Sequence, residues 1–265
     1  LSKADIRHFV GSMSGLVLRP EHPGYDIARE LWNKYWNRRP ALIAKCNGVD
    51  DVVAAVNFGR EHSLITAVRC GGHSMSGKSM CDGGLVIDMT PMNAVDVDVK
   101  NRVVSLEGGC LLGDMDRATQ PFGLGTTAGV VSHTGAGGLI LGGGMGRLQR
   151  RFGLAIDNNI GVEIVTADGK IQQANANENQ DLYWGVRGGG GNFGVVTKIH
   201  MQLHPMEQTI LNFFMLYPWE RAKDAIKLYF DLTDGAPEDL MVLGGASLNT
   251  DGTGSAYISG NFFGD

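Results

Sequence analysis

The stretch "VRCGGHSMSGKSMCDGGLVIDM", Val68 to Met89, carries a glycine loop that has two readings. Gly72-x-x-x-x-Gly77-Lys78-Ser79 matches the phosphate loop of nucleotide hydrolases. In that loop backbone N–H groups cradle phosphates, the lysine reaches the terminal phosphates and the serine holds magnesium on the first turn of a helix. Upstream, "SLITAVRC" is a β-branched run that reads as a buried strand. Downstream, no helix can start at Lys78 and survive Gly83 and Gly84, since each glycine costs about 1 kcal/mol in a helix interior. Asp82-Gly83-Gly84 is a turn signal and Leu85 to Met89 is another strand. The stretch therefore reads as strand, glycine loop, strand, with His73 at its centre.

Outward from this loop, the 265 residues are 43% hydrophobic and 19% charged, a globular composition able to bury a sizeable core. Lys and Arg number 23 against 28 Asp and Glu, for a net charge of -5, and no basic block interleaves with aromatics. Nucleic acid is excluded as an expected partner. Cys46, Cys70, Cys81 and Cys110 form neither a C-x-x-C pair nor a disulfide scaffold, so no metal site is expected. No apolar run approaches the roughly 20 residues that span a bilayer, and no membrane partner is expected. The amino end is polar and lacks a signal-peptide core. The first residue is Leu1, which leaves room for a removed leader and keeps the compartment open.

The 39 glycines are about twice the usual share of roughly 7%. They cluster at Gly71-Gly72, Gly108-Gly109, Gly129, Gly135 to Gly146 and Gly188 to Gly194. Clustering of this kind suggests several backbone loops converging on one extended ligand.

Helical periodicity is read over Tyr25 to Tyr35 and over Val49 to Glu61, where Asp50 is a candidate cap. "ALIAKC" lies between them as a strand and, with "SLITAVRC", makes a strand, helix, strand unit near the amino end. From Leu85 the chain turns β-rich, through "GLVIDM", "AVDVDV" and "RVVSLEGG" to a short helix over Leu111 to Gln120. Asp96 and Asp98 alternate with valines and mark the solvent face of a strand. "VEIVTADGKIQQA" is a hairpin turning at Ala167-Asp168-Gly169, and "NFGVVTKIHMQLHP" is a strand ending before Pro205. After Pro205 come "TILNFFMLY", a helix from Trp219 to Leu232, "LMVLGGASL" and "GSAYISGNFFGD", the start of a second antiparallel sheet with one covering helix. The pattern is α+β, not doubly wound. About 60 residues are marginal for a separate core, so the second domain is expected to be truncated.

Three segments carry candidate chemistry. In "RCGGHS", consecutive N–H groups at a strand end suit a pyrophosphate, and the imidazole of His73 is a base, a ligand or a covalent anchor. "GVVSHTGAGGLILGGGMGRLQRRFGLAIDN", Gly129 to Asn158, lets backbone lie against a flat ring or a diphosphate, and its apolar Leu139, Ile140 and Leu141 argue against a linker. In "DLYWGVRGGGGNFGVVTKI", Asp181 to Ile199, four glycines precede a strand, and Tyr183 and Trp184 read as core aromatics.

"RCGGHS", "LVIDM", "HTGAGGLILGGGMGRLQRRFGLAIDN", "IVTADG" and "DLYWGVRGGGGNFGVVT", in that order, resemble the FAD-linked oxidases related to berberine bridge enzyme. These belong to the vanillyl-alcohol oxidase superfamily with an FAD-binding PCMH-type domain. The resemblance runs from about Ala41 to Pro205. It implies a two-part FAD-binding domain over residues 1–205 and, over 206–265, the start of an antiparallel-sheet substrate domain backed by helices. It implies FAD covalently attached to His73. Arg69, Cys70, Gly71, Gly72, His73, Ser74 and Gly77 would wrap the pyrophosphate. Ser132, His133, Thr134, Gly135, Gly137 and Gly138 would pass along the pyrophosphate and flavin, with Gly142, Gly143 and Gly146 nearby and Asn158, Gly190 and Val195 towards the remaining cofactor. Many members add a second bond through cysteine. Here that position is Val131, which implies a single attachment.

The implied activity is hydride transfer from a small-molecule C–H (a sugar, an alcohol or an alkaloid-like metabolite) to flavin and then to dioxygen. Its catalytic base is expected beyond Asp265. The rival readings are a nucleotide hydrolase and a flavin-binding module without catalysis.

Overall fold

The computed structural model describes residues 1–206 and 209–264. It is α+β, with a small mixed sheet, a five-stranded antiparallel sheet and a three-stranded antiparallel sheet following one another along the chain. Helix α1 (Lys3–Ser12) opens with a reciprocal cap in which Asp5 N–H donates to Ser2 Oγ and Ser2 N–H to Asp5 Oδ2, 3.1 and 3.0 Å. There follow β1 (Val17–Leu18), α2 (Tyr25–Ala28), β2 (Leu42–Lys45), α3 (Val49–Glu61), β3 (Thr66–Arg69) and β4 (Leu85–Asp88). The first sheet has the order β1-β2-β4-β3, with β2 and β3 both parallel to β4.

The strand, helix, strand unit is present, and three local expectations are corrected. The helix read over Tyr25 to Tyr35 stops at Ala28, because the Arg69 guanidinium caps the Ala28 carbonyl and Trp32 N–H turns to Gly72 O at 3.0 Å. Gly48, not Asp50, occupies the cap of α3. The acid used there is buried Asp51, which accepts from Ser14 N–H, Gly15 N–H and Asn47 N–H at 2.7 to 2.9 Å and so ties α3 to the chain before β1. Finally, β3 is an edge strand with Thr66 and Val68 exposed, not a buried one, since only β4 pairs with it.

The second layer contains β5 (Val95–Asp98), β6 (Val103–Glu107), α4 (Leu112–Thr119), β7 (Leu124–Gly125), α5 (Ala136–Leu141), α6 (Gln149–Phe152), β8 (Asn159–Val165), β9 (Ile171–Asn175), α7 (Gln180–Val186), β10 (Val195–Gln202) and β11 (His204–Pro205). Its sheet order is β5-β6-β10-β8-β9, antiparallel throughout. Period-2 alternation buries Val104, Leu106, Ile199 and Met201 against Leu112, Met115, Ala136 and Ile140, which fixes α4 and α5 to the inner face. Asp96 and Asp98 are exposed, and Gly169 takes a positive φ of 80° at the β8–β9 turn, both as expected. The two layers share a core in which Val52, Ala55 and Phe58 of α3 meet Ile87 on one side and Val165 and Val195 on the other. Trp184 is not a core aromatic: it is 79% exposed, while Tyr183 turns inward and donates to Asn159 O at 2.5 Å.

The last elements are β12 (Leu211–Pro218), α8 (Ala222–Thr233), β13 (Leu240–Leu248) and β14 (Gly254–Phe262), in the sheet order β12-β14-β13. Helix α8 covers one face, where the Tyr229 ring lies against Gly244. Phe214 and Leu216 stand exposed on the other, and Phe214 stacks on Tyr257 at 6.0 Å. The segment after the glycine run reaches this sheet through three arginines. Arg147 donates to Asn261 Oδ1, Arg150 to Ala236 O, and Arg151 to Phe263 O while pairing with Asp239 at 2.9 Å.

Candidate functional site

Parallel pairing of β3 with β4 aims the end of β3 into the loop Cys70 to Ser74, the position where α/β layers commonly present backbone to a ligand. The loop before α5 arrives at the same place from the second sheet. A Cβ on Gly71 would stand 2.4 Å from Gly135 N, and a Cβ on Gly135 the same distance from Gly71 N. The two loops therefore touch backbone to backbone, and only glycine at both positions allows it. A third segment closes the knot: Ala136 N–H donates to Cys110 O at 2.8 Å, Cys70 Sγ–H to the same carbonyl at 3.4 Å, and Gly137 faces Gly108 O. Burial pushes the Cys70 thiol up, with the N–H groups of Gly137, Gly71 and Gly138 pulling the other way.

At the mouth of this knot two imidazoles meet. His73 Nε2 and His133 Nδ1 are 2.7 Å apart and share a hydrogen bond, with ring centroids at 4.7 Å. Trp32 also stacks on His73, at 5.3 Å and 17°. Burial, and then the neighbouring His133, hold the His73 imidazole below its ordinary value and so favour the neutral ring. Trp32 was not legible as a site residue, because "LWNKYW" places aromatics four apart and imitates a helix face.

The loop has the donors an anionic ligand needs. Among the described residues the N–H groups of Gly72, His73 and Ser74 make no hydrogen bond within the chain, and Gly72 takes a φ of 70°. Gly138 is exposed with open space where a Cβ would stand, so a flat group can lie against its backbone. The Arg69 side chain is engaged by the fold. Its guanidinium caps Ala28 O and lies 3.9 Å from Asp88, a fully buried carboxylate that Lys45 also approaches at 3.7 Å. Arg69 thus braces the loop from behind. No helix follows Lys78: that residue is exposed, and the Ser79 hydroxyl is buried without a partner, so the hydrolase geometry is not formed.

The other expected residues fall into two groups. Ser132 and Thr134 use their carbonyls to hold Gly113 and Leu112 at the start of α4, and Gly77 takes a φ of 69° against the Trp36 ring. Gly142 and Gly143 end α5, and a Cβ on Gly146 would stand 1.7 Å from Ala128 O, so the glycine run folds back on its own entry. Asn158, by contrast, is committed to the fold. Its amide donates to Phe152 O and Leu154 O, and its Oδ1 accepts from His204 Nε2 at 2.7 Å. Val195 lies in the core shared by the two layers, and Gly190 in an exposed loop joined to α5 by Gly188 N–H to Leu141 O. A groove of about 400 Å³ opens elsewhere, on the outer face of the second sheet around His200, and shares no residue with the glycine loops.

The sequence pattern described as the FAD binding domain matches residues 40–175, which include both imidazoles and both touching glycines. An FAD-linked oxidoreductase of Dictyostelium discoideum is 41% identical over 227 residues, 84% of this chain and 49% of that protein. The (R)-6-hydroxynicotine oxidase of Paenarthrobacter nicotinovorans is 36% identical over 206 residues, 78% of this chain and 45% of that protein. Among solved structures, 6-hydroxy-D-nicotine oxidase from Arthrobacter nicotinovorans superposes with a TM-score of 0.91 at 30% identity, over 96% of this chain and 56% of that one. The chain spans about half the length of the curated relatives it matches.

Proposed function

The chain belongs to the FAD binding domain family, and from that premise we propose that it is the cofactor-holding part of an FAD-dependent oxidase. Residues 1–205 hold the cofactor and residues 206–265 begin the substrate domain. The observation that carries this reading is the backbone contact of Gly71 with Gly135, with His73 and His133 paired at its mouth. FAD held there would supply the hydride acceptor, with dioxygen as the expected final electron acceptor.

The chain's own residues bind and orient. The free N–H groups of Gly72, His73 and Ser74 take the pyrophosphate, and the open backbone at Gly138 takes the flat ring system. His73 is the covalent anchor. Attachment is single, because Val131 has no nucleophile, the thiols of Cys81 and Cys110 are buried, and that of Cys70 is turned to the Cys110 carbonyl.

The substrate is a small molecule that gives up hydride from a C–H bond. An alkaloid-like compound with a flat ring is favoured over a sugar or a simple alcohol. Strand alternation places Asn261, the partner of Arg147, on the same face of the last sheet as Tyr257 and Phe214. This links the end of the glycine run to an exposed aromatic pair suited to stacking. The (R)-6-hydroxynicotine oxidase among the relatives points the same way.

The test is anaerobic titration of the full-length protein with a panel of cyclic amines, alcohols and sugars. Expected is bleaching of the visible flavin absorbance by a cyclic amine, followed by recovery of colour and release of peroxide when air is admitted. A colourless protein, or a yellow one that no member of the panel bleaches, contradicts the reading.

A further inference from the structure

The three strands of the last sheet carry no charged residue: β12 reads "LNFFMLYP", β13 "LMVLGGASL" and β14 "GSAYISGNF". Pairing of β12 with β14 sets Asn212 beside Asn261, Phe214 beside Ser259 and Leu216 beside Tyr257, all on the face that α8 leaves open. Arg147 brings a cation to this uncharged face, where its guanidinium donates to Asn261 Oδ1. Other partly buried arginines are committed within the fold. Arg151 pairs with Asp239 at 2.9 Å and Arg187 stands 3.8 Å from Asp157. Arg38 donates to the carbonyls of Gly77 and Met80, and Arg150 to those of Ala236 and Pro237. Arg147 is also partly buried, yet among the described residues it has no carboxylate partner, and Asn261 is its single hydrogen-bond acceptor. Taking a charge partly out of water without an opposite charge is unfavourable, so a partner that arrives with the ligand restores the balance.

We infer that Arg147 is the anion-recognising residue of the substrate site, and that the substrate is a flat-ringed molecule bearing an anionic oxygen, a carboxylate or an ionised ring hydroxyl. The inference rests on the proposed oxidase reading and narrows its substrate class. A guanidinium presents its N–H donors as a planar fork, which suits such an oxygen in two-point contact. Asn261 lies diagonal to Phe214 across the β12–β14 pair, a separation of about 7–8 Å in antiparallel strands. A ring stacked on Phe214 therefore places a substituent oxygen within reach of the guanidinium, with Ser259 between them as a neutral polar contact. The base of the Arg147 side chain is fixed too. A Cβ on Gly146 would stand 1.7 Å from Ala128 O, and the chain runs on from Ala128 through exposed Val130 and Val131 to His133. Arg147 thus joins the loop that carries His133 to the open sheet face. A sugar or a simple alcohol offers no charge to balance it.

The test uses full-length protein with its flavin in place and ring compounds that give up no hydride. Binding of benzoate, of its neutral isostere benzamide and of 4-nitrophenolate is measured by titration calorimetry at low and at raised salt. Wild type is expected to bind at least one of the anions about 10-fold or more tightly than benzamide, the scale of a charge-assisted hydrogen bond. Raised salt is expected to narrow that gap. The tighter of the two anions tells whether the recognised oxygen belongs to a carboxylate or to a ring hydroxyl. Arg147→Gln is expected to lose the preference while benzamide binding changes by less than a few-fold. Arg147→Lys keeps the charge without the fork and is expected to retain part of it. Wild type that binds benzamide as tightly as both anions, or binds none of the three, overturns the inference without recourse to a variant. So does a preference that survives in flavin-loaded Arg147→Gln. In either case, bleaching of the flavin by a neutral cyclic amine leaves the oxidase reading standing, whereas a colourless full-length protein removes that reading and this inference together.

Discussion

Two glycines of the site separate what the fold needs from what a cofactor needs. Gly71 has no room for a methyl group, since its Cβ would meet Gly135 N at 2.4 Å, and neither backbone can yield cheaply. Gly71→Ala is expected to lose about 1–3 kcal/mol of stability through overpacking, and FAD binding with it. Gly138 faces open space, so Gly138→Ala is expected to leave the melting temperature unchanged or slightly raised while weakening FAD binding at least several-fold. Melting curves and fluorescence titrations on both variants check the contrast, and unimpaired binding by Gly138→Ala would mean that no ring or phosphate lies there. Gly11, inside α1 with nothing within 4 Å of its Cβ position, is the control: Gly11→Ala is expected to gain about 0.5–1 kcal/mol. That the loops of "RCGGHS" and "HTGAGG" converge was legible in the sequence, because such runs have few uses other than close backbone approach, but that Gly71 touches Gly135 was not. The partner of His73 was legible only as a loop histidine, since nothing local indicates that residues sixty positions apart share a hydrogen bond.

Among the elements, short-range patterns predicted strands better than they predicted helix ends. Every strand longer than two residues was legible from β-branched runs and turn signals, including the β8–β9 hairpin. The over-extended helix at Tyr25 failed for a tertiary reason: the Arg69 guanidinium, forty-one positions away, takes the carbonyl that would have continued it. A comparable long-range contact ties β11 to the end of α6 within the second layer. His204 stacks on Phe152 at 3.9 Å, donates to Asn158 and is held below its ordinary value of 6.5 by burial and then by Arg151 and Arg102. The native state therefore keeps His204 neutral, and below pH 6.5 the unfolded chain binds more protons than the folded one. Its contribution is present in full above that pH and falls away as pH drops towards the lowered native value. His73 and His200 are shifted in the same direction, so the measurement is a difference. Between about pH 7.5 and about pH 5, wild type should lose more melting temperature than His204→Gln. Equal losses would remove His204 from the account.

At the scale of the molecule, the three larger sheets among the described residues divide the work. The first sheet brings the His73 loop, the second brings the His133 loop, and the last, tied on by Arg147, Arg150 and Arg151, presents an apolar face with Phe214, Leu216 and Tyr257. The substrate side was less legible than the cofactor side, because a face of exposed apolar residues states what it lacks, a covering surface or ligand, without naming it. The cofactor side is a meeting of loops around one imidazole, and its central claim is that FAD is held there and bonded to His73. The most direct test is peptide mapping of acid-precipitated full-length protein by mass spectrometry. The account predicts a yellow precipitate and one flavin-bearing peptide, the one that contains His73, with none linked through Cys70, Cys81 or Cys110. Flavin released entirely by acid, or found on a peptide that does not contain His73, would contradict it.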